Sequence, residues 1–426
     1  MSLDRKIKYI TAQDLKKILW GEEVYSLIDV RSQKEYEEGQ IFGATRIAVG
    51  VIRVNLPLLI LNKKTQIILY SNNEDRAATA AAYLTDLGYE NIHILKGGLE
   101  GWKKAGLSTV IGIHVQSKAL GEVVDIRPGS VRHIYAKELL QKIKESPNDK
   151  KPVILEVRPV EEVQQTGSIK GAINIPGVEL YPQLKKYLEQ GRDVVLTCAG
   201  RTRSIIAAAT VKALGLGEVY ELVNGTRGWI LEGEKLSYNT DVDTEPVSPE
   251  NRVWFTKKAR ELSKANSLKY IAADELKYIV RNLKNTNTII LDVRQRDDYE
   301  RRGHIPGSRN YEGGQIIQNT DDALLVNGAD YVLVDDGDGR AEIVAFWLKE
   351  LAIPNVKILS GGINEWLAKG YDLVSGSTVL AIDTGAHHEG ALIRDPIIEA
   401  NNYIEWESAL TRKREYMEYF RSKGIV

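Results

Sequence analysis

Three stretches of this chain repeat one another, and that repeat constrains the fold more than any other feature. Each stretch opens on a short apolar run ending in an acid, a valine and an arginine. The three runs are Leu27-Ile28-Asp29-Val30-Arg31, Ile154-Leu155-Glu156-Val157-Arg158 and Ile290-Leu291-Asp292-Val293-Arg294. An acidic stretch and a Gly-containing turn follow each: Gly43-Ala44, Gly171-Ala172 and Gly307-Ser308. A second apolar run then leads into a polar loop ending in Arg76, Arg203 or Arg340, and each unit closes on a Gly-rich turn with Trp102, Trp229 or Trp366. The acid lies 42, 42 and 43 residues before the first loop residue (Ser71, Cys198, Asp335), and that residue lies 31 before the tryptophan each time. Chance does not give three matches of this length.

Apolar runs alternating with helical stretches predict an α/β unit with a largely parallel sheet. The runs are rich in Val, Ile and Leu without alternation, as expected for strands buried on both faces. Ser204 to Leu214 reads as a helix stopped by Gly215; Gly88 holds that place in the first copy, and Ala352 departs from it in the third. A chain of 426 residues has room for about three domains. The expected division is 1–122, 123–240 and 268–375, with 241–267 as a linker turning helical near Trp254 and 376–426 as a partly helical extension. The aromatic face of that extension, Tyr403, Trp406, Leu410, Met417 and Phe420 at roughly helical spacing, predicts a strap packed on a domain.

The formal net charge is −1, so no basic field draws in nucleic acid or an acidic membrane. No run of eighteen apolar residues predicts a membrane helix, and residues 1–10 lack the apolar stretch of a secretory signal. The single cysteine, Cys198, rules out an intramolecular disulfide and a CxxC metal knuckle. A reducing, cytoplasmic setting is expected.

That cysteine opens the loop Cys198-Ala199-Gly200-Arg201-Thr202-Arg203, between a buried strand and a helix starting near Ser204. Ligands of open α/β sheets bind at this end of the strands. Backbone amides and the helix N-terminus favour an anion there. Gly200 permits positive φ, and Arg201 and Arg203 add two fixed charges. Together these favour thiolate over thiol, so Cys198 is expected to be nucleophilic at neutral pH. Arg203 recurs as Arg76 and Arg340 in loops without cysteine, which gives it a structural share.

These features resemble the rhodanese family of sulfurtransferases, and in particular its multi-domain bacterial members. The resemblance is carried by the acid-Val-Arg triplets, the turn with Asn174-Ile175-Pro176, the Cys198–Arg203 loop and the closing Gly-Gly-x-x-x-Trp. It spans nearly all of residues 8–375 in three copies. It implies an α/β fold of three tandem rhodanese-like domains, each a small five-stranded parallel sheet with helices on both faces. It also implies a double displacement. Cys198 takes the outer sulfur of a donor such as thiosulfate, sulfite leaves, and an acceptor (cyanide or a thiol) removes sulfur from the resulting persulfide. Ala199, Gly200, Arg201, Thr202, Arg203 and Ser204 would bind the substrate. No metal or organic cofactor is implied. Beyond the small-molecule donor and acceptor, the reading admits a protein sulfur acceptor and a homodimer.

Ser71 and Asp335 replace the cysteine in the outer copies. Ser71 has no base in its loop to activate it, and the carboxylates of Asp335, Asp336 and Asp338 would repel an anionic donor. Both copies are expected to be catalytically silent and to scaffold the middle one, shape its entrance or mediate dimerisation. The Asp-rich loop could supply oxygen ligands to Ca²⁺ or Mg²⁺, though a solvated acidic loop is the commoner case, and His387-His388 is read as surface. Two rivals stand: a Cys-based phosphatase or arsenate reductase, whose loop has one more residue before its arginine, and a non-enzymatic persulfide carrier or interaction scaffold.

Overall fold

A computed structural model describes residues 7–377, 396–413, 417, 420 and 421 of the protein. In the first copy the apolar runs become β1 (Ile7–Ile10), β2 (Tyr25–Asp29), β3 (Thr45–Arg46), β4 (Gln66–Tyr70) and β5 (Ile92–Leu95), in spatial order β1-β5-β4-β2-β3. The middle copy has β6 (His133–Ile134), β7 (Val153–Glu156), β8 (Ile173–Asn174), β9 (Val194–Thr197), β10 (Tyr220–Leu222) and β11 (Asp241–Val242), ordered β11-β8-β7-β9-β10-β6. The third copy repeats the first with β12 (Lys269–Ile271), β13 (Thr288–Asp292), β14 (Arg309–Asn310), β15 (Asp330–Val334) and β16 (Val356–Leu359), ordered β12-β16-β15-β13-β14. Every pairing between these strands is parallel. The architecture is three tandem α/β domains with flanking helices.

The triplets anchor each sheet. Arg31, Arg158 and Arg294 are buried and bond the acid two residues before them at 2.6, 2.8 and 2.7 Å. Each also donates to the carbonyl of a glycine, Gly39, Gly167 or Gly303. Such a pair holds because both charges find hydrogen bonds in the dry interior. The closing turn is equally uniform. Leu99, Thr226 and Ile363 donate their amides to the carbonyls of Ser71, Cys198 and Asp335, at 2.8, 2.8 and 2.7 Å. The turn thereby fastens the first residue of the polar loop in each copy.

The segment expected as a linker is built into the fold. Asp241–Val242 adds β11 beside β8, and Pro249–Ala265 is a helix with Phe255, Ala259 and Leu262 buried. That helix packs on Leu180–Leu188 of the middle copy and Arg340–Glu350 of the third, so it joins two domains. The expected boundary at 122–123 falls inside another helix, Val115–Asp125, which packs on Thr202–Ala213 and is buried over most of its surface. The helix stop expected at Gly215 has φ of +60°, and Ala352 adopts +53° at the matching place without being glycine.

The copies share one apolar core that runs through all three. Trp347 of the third donates to Thr210 of the middle at 2.8 Å. Tyr25 and Asn327 exchange backbone bonds between the first and third. Among the described residues no helix is long and apolar enough to cross a membrane. His387 and His388 lie outside the described residues.

Candidate active site

β7 leads outward to β8 and β9 leads the other way to β10, so the carboxyl ends of β7 and β9 open a crevice. Cys198 stands directly after β9, and the Thr202–Ala213 helix begins four residues later. Its Sγ is 3.4 Å from Ser204 Oγ, and the Ser204 backbone amide also bonds it. Cys198 borders a cleft of about 900 Å³. Arg158, Arg203 and Arg227 of the middle copy, Gln315 and Asn319 of the third, and Tyr403 of the C-terminal helix share its walls.

The electrostatics differ from those expected of the sequence. The Arg201 guanidinium bonds Glu122 at 2.6 Å and Asp125 at 2.7 Å, and Arg203 bonds Glu162 at 2.5 Å. Neither is a free positive charge awaiting a sulfonate. Burial instead pushes the Cys198 thiol up, and Arg203 and Ser204 recover only part of this. Burial thus works against the ready thiolate that the sequence suggested, and the side chain is only 1% exposed. Burial raises Glu122 to about 6 despite its bond to Arg201.

Gly200 is needed for a reason other than backbone freedom. It is not among the positive-φ glycines. A Cβ there would sit 2.8 Å from Tyr403 Cε1, 3.3 Å from Glu407 Oε2 and 3.4 Å from an Arg227 nitrogen. The helix Pro396–Ser408 supplies Tyr403 and Glu407, so the strap expected of the tail lies directly on the functional loop. Thr202 Oγ1 donates to Glu407 at 2.5 Å, and the Arg227 guanidinium stacks 3.6 Å from the Tyr403 ring centroid. Sequence reading missed Glu122, Asp125, Arg227 and Glu407 as partners of this loop. Their separations along the chain follow no period, so only the aromatic face of the tail gave a signal.

The outer loops are occupied by their own side chains. Ser71 Oγ donates to the Asn73 carbonyl at 2.8 Å and accepts from the Ala77 amide. Asp335 accepts from the amides of Gly337, Gly339 and Ala341 at 2.7 to 3.1 Å. Asp336 pairs with Arg294, Arg302 and Arg340, and Asp338 with Arg340. The acidic loop is thus buried and internally neutralised rather than solvated. His114, Asp321 and Asp322 form a further cluster between the first and third copies that the sequence did not announce.

The family model of the rhodanese-like domain matches residues 11–105, 136–232 and 275–369. A "Sulfurtransferase" of Allochromatium vinosum is 27% identical over 104 residues, which are 24% of this chain and 95% of that protein. The tRNA uridine(34) hydroxylase of Erwinia tasmaniensis is 27% identical over 125 residues, 28% of this chain and 35% of that protein. The chain thus spans about a third of the length of that hydroxylase. A crystal structure of a thiosulfate sulfurtransferase from Pseudomonas aeruginosa superposes with a TM-score of 0.81 over 98% of both chains, at 24% identity. That likeness extends over the whole chain and speaks to the fold.

Proposed function

Since the chain belongs to the rhodanese-like domain family, with three tandem copies, we propose that it is a sulfurtransferase working through a persulfide on Cys198. One observation carries the reading. In every copy the helix amide six residues on, from Ala77, Ser204 or Ala341, meets the side chain of the first loop residue. Only in the middle copy is that side chain a thiol, and there it borders a cleft. An amide at a helix N-terminus stabilises negative charge on the atom it meets, and both thiolate and persulfide anion carry that charge on sulfur.

The reaction balances without a cofactor. Once the proton has left, Cys198 attacks the terminal sulfur of a donor such as thiosulfate. The donor S–S bond breaks, sulfite departs with its electron pair, and a cysteine persulfide anion remains. Cyanide or a thiolate then attacks the outer sulfur and returns the Cys198 thiolate. Ala199, Gly200, Arg201, Thr202, Arg203 and Ser204 frame this position. Arg201 and Arg203 act chiefly by holding the loop to Glu122, Asp125 and Glu162. The outer copies are silent in this scheme, and the third contributes a wall of the cleft.

A persulfide carrier is the second reading, favoured by the helix packed on Gly200 of the loop and by a cysteine that is almost fully buried. Steady-state transfer from thiosulfate to cyanide separates the two. The enzyme reading predicts sustained turnover that Cys198→Ser abolishes. A single equivalent of sulfur released, followed by arrest, contradicts it.

A further inference from the structure

A file of polar groups leads from the Cys198 thiol to solvent, and none of its inner members borders the cleft. Ser204 Oγ, 3.4 Å from Sγ, is 3.1 Å from Glu221 Oε1. Glu221 Oε2 is 3.0 Å from His133 Nδ1, and His133 Nε2 is 3.4 Å from Asp125 Oδ1. Cys198, Ser204 and Glu221 are buried, whereas the His133 side chain is 35% exposed.

The sister copies show that the fold does not require these groups. Ser204 takes the place of Ala77 and Ala341, each six residues after the first loop residue. Glu221 is paired with Leu196 of β9, just as Ile94 pairs with Leu69 and Ile358 with Leu333. His133 is paired with Glu221 where Tyr9 meets Ile94 and Tyr270 meets Ile358. The Cys-less copies therefore carry Ala, Ile and Tyr at three positions where the cysteine copy carries Ser, Glu and His. A fully buried carboxylate costs stability unless it is paired, so its presence beside the only thiol calls for a task.

We propose that Ser204, Glu221 and His133 form a proton path that takes the thiol proton of Cys198 to water, so that a buried thiol can react as thiolate. The idea rests on the sulfurtransferase reading. The S–H bond breaks and its proton goes to Ser204 Oγ as the Ser204 hydroxyl proton moves to Glu221 Oε1. The electron pair left on sulfur forms the new S–S bond. The Glu221 carboxyl then turns to pass that proton to the bare Nδ1 of a neutral His133, which releases its Nε2 proton to water. The Arg201 carbonyl, 3.0 Å from Ser204 Oγ, is the alternative acceptor that Ser204 must turn from. Glu221 is faced by His133, Asp125 and Arg201; His133 by Glu221, Asp125 and Arg201; and Cys198 by Arg203 and Glu156. Glu221 and His133 act through Ser204 and are positioning residues.

The test is the pH profile of Cys198 alkylation by iodoacetamide, read beside single-turnover persulfide formation from thiosulfate, in the full chain and in Glu221→Gln, Ser204→Ala and His133→Asn. The path predicts that Glu221→Gln and Ser204→Ala slow alkylation at pH 7 at least about tenfold and move its rise to higher pH, with His133→Asn shifting it the same way. Action of the Glu221 charge through space predicts the opposite, because removing a nearby anion favours thiolate. Alkylation in Glu221→Gln as fast as in the unaltered chain overturns the path. If that variant does not fold, Ser204→Ala and the exposed His133→Asn decide, and an unmoved profile in both overturns it. Alkylation needs no sulfur donor. An unaltered chain with a Glu221-dependent profile but no persulfide thus contradicts the function and keeps the path.

Discussion

Gly225 shows how little the loop tolerates. Its φ is +50°, and a Cβ there would lie 2.2 Å from the Cys198 carbonyl oxygen. Gly225→Ala is expected to cost about 1–3 kcal/mol and to displace Cys198 from Ser204, so thermal unfolding and turnover should fall together. Gly362→Ala, at the same place in the third copy, should cost similar stability with turnover per folded molecule retained. Equal loss of specific activity in both variants would show that the turn does not act through the cysteine. Arg201 makes a different point. Its guanidinium holds Glu122 and Asp125 together in a half-dry site, and breaking a buried pair leaves charge uncompensated. Arg201→Ala should destabilise the chain by about 3 kcal/mol in denaturant titration. A fall below about 1 kcal/mol would mean that the carboxyls simply take up protons. The sequence displayed both arginines but not their partners, because Glu122 and Asp125 lie in a helix more than seventy residues upstream.

At the scale of elements, what could be read in advance was what burial writes as pattern. Strands buried on both faces appear as unbroken Val/Ile/Leu runs, and β4, β9 and β15 follow theirs closely. Two-residue strands such as β3 and β8 are too short to leave a pattern. The Val115–Asp125 helix was missed because Gln116, Lys118 and Glu122 are buried along with its valines, so no polar face marks it. The pairing of the loop's arginines was hidden for a related reason, since the loop residues advertise positive charge while the groups that neutralise it, Glu122, Asp125 and Glu162, lie elsewhere. The C-terminal helix carries the clearest prediction here. Tyr403 covers Gly200 and stacks on Arg227, so Tyr403→Ala should raise the rate of Cys198 alkylation several-fold with little change in stability. An unchanged rate would mean that reagents already reach the thiol through the cleft.

In the molecule as a whole, the outer copies hold each other through contacts that titrate. His114 bonds Asp321 across the interface of the first and third copies at 2.9 Å. Burial opposes its charge, but Asp321 prevails and raises its pKa above 6.5. Burial and the neighbouring Asp321 push Asp322 up to about 7. Both folded-state values exceed the unfolded ones, so both contributions are full at low pH. The Asp322 contribution is lost as pH rises from about 4 to 7, and that of His114 as pH rises past 6.5. Tm should therefore fall by several degrees between pH 6 and 8.5, and His114→Gln should flatten that fall. A Tm rising over this range would contradict the assignment.

The central claim is that sulfur passes through Cys198 alone. Intact-mass spectrometry of the full chain after thiosulfate treatment, with and without a cyanide chase, tests it most directly. The account predicts a gain of one sulfur atom, mapped to Cys198, removed by cyanide and absent from Cys198→Ser. An unchanged mass, or an added sulfur that survives in Cys198→Ser, would contradict it.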